Sequence, residues 1–192
     1  MATELHHRFT FEDFLRLQRD TSTKHEFLGD QVWAMAGGSP ENAAVSANII
    51  ALLGTALAGK PCRTFSSNLL LRVKATGLAT YPDVSVVCGK LELDPEDAKQ
   101  HTVVNPRVIV EVLSPSTEAY DRGEKLVHYK QIPSLAEVVL VSHDRHEVEI
   151  VRREDDGTWS REVARGEDVI QLASIGCELS VRAIYRDPLV ES

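Results

Sequence analysis

The sequence predicts an α/β domain in which a mixed β-sheet is flanked by helices, and three observations support this. Apolar residues recur at helical spacing near the start of the chain and again, over a longer stretch, before residue 60. Residues 62–88 change to the two-residue alternation of β-strands. Another helical stretch then separates these strands from later ones, an order typical of α/β or α+β proteins.

The first half of the chain contains two helix signals around a hairpin. "FTFEDFLRLQ" predicts a short amphipathic helix with Thr10 as its N-cap. "KHEFLGDQVWAMAGG" predicts two short strands around a Gly29-Asp30 turn. "GGSPENAAVSANIIALLGTALAG" predicts a long helix with Ser39 as N-cap and Pro40 at its first position, ending near Gly59.

The second half is richer in strands. "CRTFSS", "LLLRVKA" and "DVSVV" predict strands, and "PRVIVEVLS" is typical of a strand buried on both faces. "GKLELDPEDAKQHTVVN" indicates an acidic surface connection, and "STEAYDRGEKLVHYKQI" a helix, or a loop leading into one, that ends before Pro133. "AEVVLVSHDRHEVEIVRRE" predicts a hairpin, "DDGTWSREVARGEDVIQL" short strands and "LSVRAIYRD" a small closing helix.

Composition limits the possible functions. A chain of 192 residues with 43% hydrophobic and 26% charged content predicts one soluble globular domain over residues 1–192. With 21 basic and 29 acidic residues the net charge is -8, so phosphate attraction over the whole surface is not expected. A nucleic acid would have to be bound through a local basic patch or a metal.

Cysteine usage and hydropathy predict a cytoplasmic protein without a membrane segment. Cys62, Cys88 and Cys177 are odd in number and lack CxxC spacing, which indicates core thiols in a reducing compartment rather than a disulfide framework or a zinc knuckle. No stretch reaches the roughly 18 apolar residues of a membrane span.

Two acidic residues define the candidate site. Asp83 opens one strand, and Glu111 lies near the end of the next. If these strands pair antiparallel, the two carboxylates become neighbours. They would then repel each other, and burying Glu111 among apolar residues would cost several kcal/mol unless it were paired or metal-bound. Their hard oxygen ligands favour Mg²⁺ or Mn²⁺ over zinc.

The helix after Glu111 supplies a candidate base. In "DRGEKLVHY", Asp121, Lys125 and Tyr129 are four residues apart and share one helical stripe. Spacing alone favours a solvated Lys125 paired with Asp121, which would contribute only tenths of a kcal/mol.

The motifs "YPDVSVVC", "PRVIVEVLSPST", "DRGEKLVHY" and "EVVLV" together resemble the Uma-two family of PD-(D/E)XK nuclease-like proteins. "HEFLGDQVWAMAGGSPE" and "SANIIALL" extend the likeness, so that it covers roughly residues 10–153. The resemblance implies a restriction-endonuclease-like fold. It also implies that Asp83 and Glu111 bind a divalent metal.

Three further positions are interpreted through this resemblance. Leu113 stands where the motif usually has its lysine, and Lys125 matches the lysine that Uma-two proteins carry on the following helix. Glu26 matches an early glutamate that reaches the site in relatives, although an ordinary hairpin acid fits the sequence equally well. Asn42 replaces a histidine common in relatives, which removes an acid-base group but leaves an amide able to hold water or phosphate.

The function expected from this resemblance is a Mg²⁺- or Mn²⁺-dependent endonuclease that hydrolyses DNA, using Asp83, Glu111 and Lys125 with Glu26 in a secondary role. The alternatives are a nuclease-fold scaffold or nucleic-acid-binding protein with little catalysis, and a hydrolase of small phosphoesters. Cutting both strands with one such site would need two copies, so a homodimer is expected. Scattered bases on the strands and the helix are candidates for a local DNA-binding patch: Arg63, Arg72, Lys74, Arg122, Lys125 and Lys130.

Overall fold

A computed structural model describes residues 8–35, 37–187 and 189. The helices are α1 (Phe11–Asp20), α2 (Pro40–Ala56), α3 (Glu118–Tyr120), α4 (Leu126–Tyr129) and α5 (Val181–Ile184), with a π-helical turn (Asp121–Lys125) joining α3 to α4. The strands are β1 (His25–Leu28), β2 (Gln31–Ala34), β3 (Cys62–Ser66), β4 (Leu70–Arg72), β5 (Ala79–Thr80), β6 (Val84–Cys88), β7 (Thr102–Val103), β8 (Val108–Leu113), β9 (Glu137–Ser142), β10 (Glu147–Arg153), β11 (Trp159–Arg165), β12 (Val169–Leu172) and β13 (Cys177–Ser180).

The strands form a six-stranded, a five-stranded and a two-stranded sheet. The six-stranded sheet has the order β11-β10-β9-β8-β6-β3, and the five-stranded sheet has the order β2-β1-β5-β4-β7. Strand β8 pairs parallel with β9 and antiparallel with β6, so the large sheet is mixed. The fold is therefore the mixed α/β arrangement expected from the sequence.

Side-chain alternation along β8 divides the six-stranded sheet into two buried faces. Val108, Val110 and Val112 pack in the apolar cluster formed with α2, α5 and the β12-β13 hairpin. Ile109 and Leu113 point the other way, into the cluster formed with α4 and the five-stranded sheet. Because side chains alternate across a strand, Glu111 lies on this second face. Its position there brings it into contact with the π-helical turn and with α4.

The five-stranded sheet has its own apolar contact with α1. Phe27 of β1 packs against Phe11 and Phe14, with ring centroids 6.0 and 5.5 Å apart. Thr10 and Asp13 form a reciprocal capping box at the start of α1, which confirms Thr10 as the N-cap. Since Phe27 faces α1, its neighbour Glu26 faces the opposite side of the sheet.

Most sequence-based element predictions are confirmed. The hairpin turns at Gly29, whose φ of +68° at the first central position is favourable for glycine. Ser39 caps α2, and the two later hairpin strands, the short C-terminal strands and the closing helix are all present. The short strand β5 was not predicted, because a two-residue strand leaves almost no periodicity.

The acidic connection between β6 and β8 is not simply a surface loop. It contains β7, and Asp94 and Asp97 within it are buried. Asp94 accepts a 3.0 Å hydrogen bond from Arg72, and Asp97 accepts hydrogen bonds from two loop amides and from the amide and hydroxyl of Thr102. These partners offset the cost of burying the two carboxylates.

The prediction of three core thiols is wrong for two of the cysteines. Cys62 and Cys88 are direct partners in the β3-β6 ladder and form a disulfide, whereas Cys177 is a buried free thiol. Their separation of 26 residues gave no spacing signal, because the pairing depends on strand register. The Cys62–Cys88 pair could therefore be recognised only from the three-dimensional structure.

Breaking this disulfide should lower stability. We expect Cys62→Ser/Cys88→Ser to lower the free energy of unfolding by about 2–3 kcal/mol, because the bond restricts the unfolded chain. Urea unfolding of the wild type with and without reductant measures the effect. Cys177→Ser is the matched control and should keep the sensitivity to reductant. An unfolding midpoint that is the same in the wild type and the double variant would contradict a stabilising disulfide.

Among the described residues, no helix is long and apolar enough to cross a membrane.

Candidate functional site

Asp83 and Glu111 are brought together by the antiparallel pairing of β6 with β8. The register places Val84 opposite Val110, and Asp83 is the next position outward, beside Glu111. The Asp83 amide lies 3.5 Å from Glu111 Oε2, and Asp83 Oδ2 accepts a 2.7 Å hydrogen bond from the Val112 amide. The neighbourhood inferred from strand order alone is thus confirmed. Asp83 is half-buried while Glu111 is only 4% exposed, so the site opens at Asp83.

Lys125 is a buried residue, and the interpretation as a solvated surface lysine is wrong. It is only 4% exposed, and its Nζ lies 2.9 Å from Glu111 Oε1 and 3.2 Å from Asp121 Oδ1. Asp121 and Lys125 are the first and last residues of the π-helical turn, a feature frequent at functional sites. The turn faces the side of β8 that carries Glu111, so the lysine points toward the sheet.

The charges around Lys125 determine its protonation. Burial lowers the pKa of Lys125, but the carboxylates of Glu111 and Asp121 more than offset this and hold its pKa above the usual range. Tyr129 lies on the same side and donates a 2.5 Å hydrogen bond to Glu111 Oε1. Burial raises the pKa of Tyr129 as well, so both side chains keep their protons at neutral pH. Lys125 is therefore a fixed positive charge rather than a base.

Glu26 lies near this group and is not an ordinary hairpin acid. It is buried, its Oε2 accepts a 2.6 Å hydrogen bond from Thr80, and its Oε1 accepts a hydrogen bond from the Tyr120 hydroxyl. Its charge also contributes to the raised pKa of Lys125. Glu26, which lies on the five-stranded sheet, therefore interacts electrostatically with Lys125.

Asn42 binds the backbone of the strand that carries Glu111. Its Nδ2 donates a 2.7 Å hydrogen bond to the Val112 carbonyl, while its backbone N–H donates to the hydroxyl of Ser39, the N-cap of α2. The side chain thus ties the N-terminus of α2 to β8, one residue beyond Glu111. This is a positioning contact.

Lys24 is a site residue that lies outside the motifs on which the Uma-two resemblance rests. It is half-buried, and its Nζ donates a 2.9 Å hydrogen bond to Ser67. Burial lowers the pKa of Lys24, and the nearby charge of Asp83 opposes this shift. Its sequence signal was weak, because an isolated lysine before a short strand is typical of any surface.

The scattered bases do not form a free basic patch. Arg72 is paired with Asp94 and Glu96, and Arg122 is paired with Glu118 and Glu149. Lys130 lies 5.5 Å from the ring centre of Trp159, and Lys125 is buried. Only Arg63 and Lys74 of the six bases are exposed, so a shared surface charge is not available to bind DNA.

Comparison with known proteins assigns the chain to a family. The family model named Uma2, described as "Putative restriction endonuclease", matches residues 11–182. The chain belongs to the Uma2 family. The restriction-endonuclease-like fold expected from the sequence motifs is therefore confirmed.

The relatives cover nearly the whole chain. An uncharacterized protein of Synechocystis, slr1290, is 38% identical over 176 residues, which is 91% of this chain and 90% of that one. Another from the same organism, sll1609, is 28% identical over 159 residues, 83% of this chain and 89% of its own. A crystal structure from Anabaena variabilis, titled a putative nuclease belonging to DUF820, has a TM-score of 0.75 at 16% identity, covering 92% of this chain and 97% of that one.

The acidic side chains of this Uma2 site fit a hard divalent cation. The site contains four carboxylates, those of Glu26, Asp83, Glu111 and Asp121, and two ammonium groups, those of Lys24 and Lys125, so carboxyl groups outnumber ammonium groups. Within the described residues no three metal-binding side chains converge. A pair of carboxylates nevertheless suits Mg²⁺, which usually keeps several waters and binds one or two carboxylates.

The pKa of Glu111 gives the Uma2 site a testable pH dependence. Burial raises the pKa of Glu111 to about 7, with Lys125 opposing the shift and Asp83 and Asp121 adding to it. Between the unfolded pKa of 4.5 and about 7, the native state therefore binds more protons than the unfolded chain. Stability contributed by this group is present at low pH and is lost as pH rises through that window.

We expect the stability that is lost as Glu111 ionises to reach as much as about 3 kcal/mol in metal-free protein. Chemical unfolding in EDTA at several pH values, compared between wild type and Glu111→Gln, isolates the contribution of Glu111. The difference between the two proteins should change steadily between pH 4.5 and about 7. A constant difference would show that Glu111 does not titrate in this window.

Proposed function

We propose that the protein is a Mg²⁺-dependent endonuclease that hydrolyses phosphodiester bonds of DNA. The observation that carries the proposal is the convergence of Asp83 and Glu111 at the edge of a buried ion pair with Lys125. Membership of the Uma2 family and the fold shared with a protein titled a putative nuclease support the reaction class.

In this proposal, Asp83 and Glu111 hold the cation. Asp83 Oδ2 and Glu111 Oε1 accept short hydrogen bonds of 2.7 and 2.5 Å, whereas Glu111 Oε2 accepts only a 3.5 Å one from the Asp83 amide, so Asp83 Oδ1 and Glu111 Oε2 are the oxygens best suited to bind it. A divalent cation bound there would lower the pKa of its water and stabilise charge that develops on the phosphate. Hydrolysis would then form a bond between a water oxygen and phosphorus and break one P–O bond to the sugar, with the attacking water losing a proton to solvent and the leaving sugar oxygen gaining one from solvent.

Lys125 acts in this scheme as a permanent positive charge. Because its pKa is raised, its ammonium neither accepts a proton from water nor leaves the ion pair at neutral pH. It can orient a water or phosphate oxygen, and it stabilises the negative charge of the transition state. Asp121 and Tyr129 hold Lys125 and Glu111 in place, and Glu26 adds negative charge from the other side of the turn.

One site of this kind cuts one strand at a time. We therefore propose that double-strand cleavage uses a homodimer with one site in each copy. Light scattering of the purified protein, alone and with duplex DNA, tests this assembly. A monomer under both conditions that still linearises plasmid in a single step would contradict it.

Plasmid cleavage tests the main proposal. Supercoiled DNA incubated with the wild type should be nicked in Mg²⁺ or Mn²⁺ and remain intact in EDTA. Calorimetry with Mn²⁺ separates the enzyme from a nuclease-fold scaffold: the enzyme binds the ion, and Glu111→Gln weakens this binding. Absence of Mn²⁺ binding, or binding that Glu111→Gln leaves unchanged, would favour the scaffold or nucleic-acid-binding function.

A further inference from the structure

An exposed tryptophan lies beside the candidate site on the β1-β2 hairpin. The register places Trp33 directly opposite Glu26. Side chains of residues that face each other across an antiparallel pair lie on the same face, with Cβ atoms about 5 Å apart. Glu26 points toward Tyr120, while Phe27 fills the α1 side. Trp33 therefore lies on the same face of the hairpin as the polar cluster.

Trp33 is unusual in its exposure. Its side chain is 45% exposed at the edge of the five-stranded sheet. Trp159, by contrast, is packed against the guanidinium of Arg153, 4.7 Å from its ring centre. An indole ring costs free energy when it faces water, and tryptophan is enriched at binding interfaces.

Lys24 is on the same face of the hairpin. The Met35 amide donates a 2.8 Å hydrogen bond to the Lys24 carbonyl, so the pairing of β1 with β2 continues to this residue. Since alternate residues share a face, Lys24 lies with Glu26 and Trp33. Its ammonium donates a hydrogen bond to Ser67, and the charge of Asp83 raises its pKa against the lowering effect of burial. The hairpin thus presents one cation and one flat aromatic ring next to the half-buried carboxylate.

A positive charge and an aromatic ring at the mouth of an acidic site match the chemistry of one nucleotide. The ammonium complements a phosphate in a region where most charges are negative, and the ring offers a surface for a base. A base can stack on a side chain only when it is outside the duplex stack. Such a surface therefore favours an unpaired nucleotide over a paired one.

We propose that the β1-β2 hairpin binds an unpaired nucleotide of the DNA substrate, with Trp33 stacked on its base and Lys24 bound to its phosphate. This assigns single-stranded or locally opened DNA as the substrate class, and it rests on the proposed nuclease function. Trp33 sets the preference for an unpaired base. Lys24 holds the backbone next to Asp83.

Binding is tested with a short fluorescein-labelled single-stranded oligonucleotide whose phosphorothioate linkages resist hydrolysis, in Mg²⁺ buffer. Trp33→Ala should weaken binding about 5- to 100-fold, the range found for loss of a base-aromatic stack. Trp33→Phe should retain most of the affinity. Trp33→Ala should weaken binding of the matched duplex far less than it weakens binding of the single strand. Thermal unfolding of Trp33→Ala should match the wild type, because the side chain is exposed.

Intrinsic fluorescence provides a second measurement with a matched control. In Trp159→Phe, the remaining Trp33 should be quenched when the oligonucleotide binds. In Trp33→Phe, the remaining Trp159 should not be quenched at equal occupancy. Lys24→Gln should reduce the slope of log affinity against log salt concentration by about 0.7, as expected for one phosphate contact on a single strand.

The outcomes separate this inference from the proposed function. Wild-type affinity in Trp33→Ala, equal weakening for single strand and duplex, or no binding by the wild type would each overturn the inference. If the wild type cleaves plasmid and Trp33→Ala binds the oligonucleotide as tightly as the wild type does, the nuclease proposal is kept and the nucleotide site is rejected. Trp33-dependent binding without any cleavage would support the nucleotide site and contradict the nuclease.

Discussion

We expect Lys125→Met to lower the free energy of unfolding by about 3–5 kcal/mol. The substitution preserves the length of the side chain but removes the ammonium that lies 2.9 Å from Glu111 and 3.2 Å from Asp121. All three side chains are buried, so both carboxylates would be left without their cation in a poorly solvated position. Urea unfolding at neutral pH measures the loss.

A second substitution tests the cause of this loss. Lys125→Met/Glu111→Gln removes one of the two stranded charges and should recover part of the stability, giving a coupling energy between the two positions. Lys90→Met is a matched control at an exposed lysine and should change stability by no more than about 0.5 kcal/mol. If the effects of Lys125→Met and Glu111→Gln simply add, the ion pair is not the source of the destabilisation.

Asp83→Asn should reduce metal-dependent DNA cleavage by about 100-fold or more. The amide can still accept the 2.7 Å hydrogen bond from Val112, so the strand ends stay in place, but one negative ligand for the cation is lost. Burial raises the pKa of Asp83, so removing its charge should cost little stability and can even increase it. Activity and stability should therefore change independently.

Initial rates of plasmid nicking and urea midpoints for the same preparations test this separation. Asp155→Asn removes the same charge from an exposed turn and should leave both quantities near the wild-type values. Nicking by Asp83→Asn at the wild-type rate would remove Asp83 from the mechanism. A parallel loss of stability and activity would indicate a structural role instead.

The pairing of Asp83 with Glu111 was predictable because it depends only on strand order and direction. Asp83 opens β6, Glu111 lies near the end of β8, and antiparallel pairing of neighbouring strands makes them neighbours. The apolar run around Glu111 also indicated a strand buried on both faces. Local patterns were sufficient in both cases.

Features that depend on contacts between distant segments were not predictable in the same way. Helical spacing places Lys125 beside Asp121, but burial of the pair comes from β8 packing beneath the π-helical turn. The partner of Cys62 follows from the register of β3 with β6. Lys24 and Trp33 lie beside the acids only because the five-stranded sheet packs on the same face of the six-stranded sheet as α4.

The π-helical turn has a consequence for how this chain tolerates length changes. In a regular α-helix each residue advances the next by about 100° around the axis. Deleting Gly123 from the turn would let the segment relax to the commoner helical geometry and would leave Asp121 and Lys125 three residues apart, a spacing that keeps two side chains on one helical face. The shortened chain would therefore gain a more regular backbone and keep this charged pair, so the segment should tolerate the loss of this one residue.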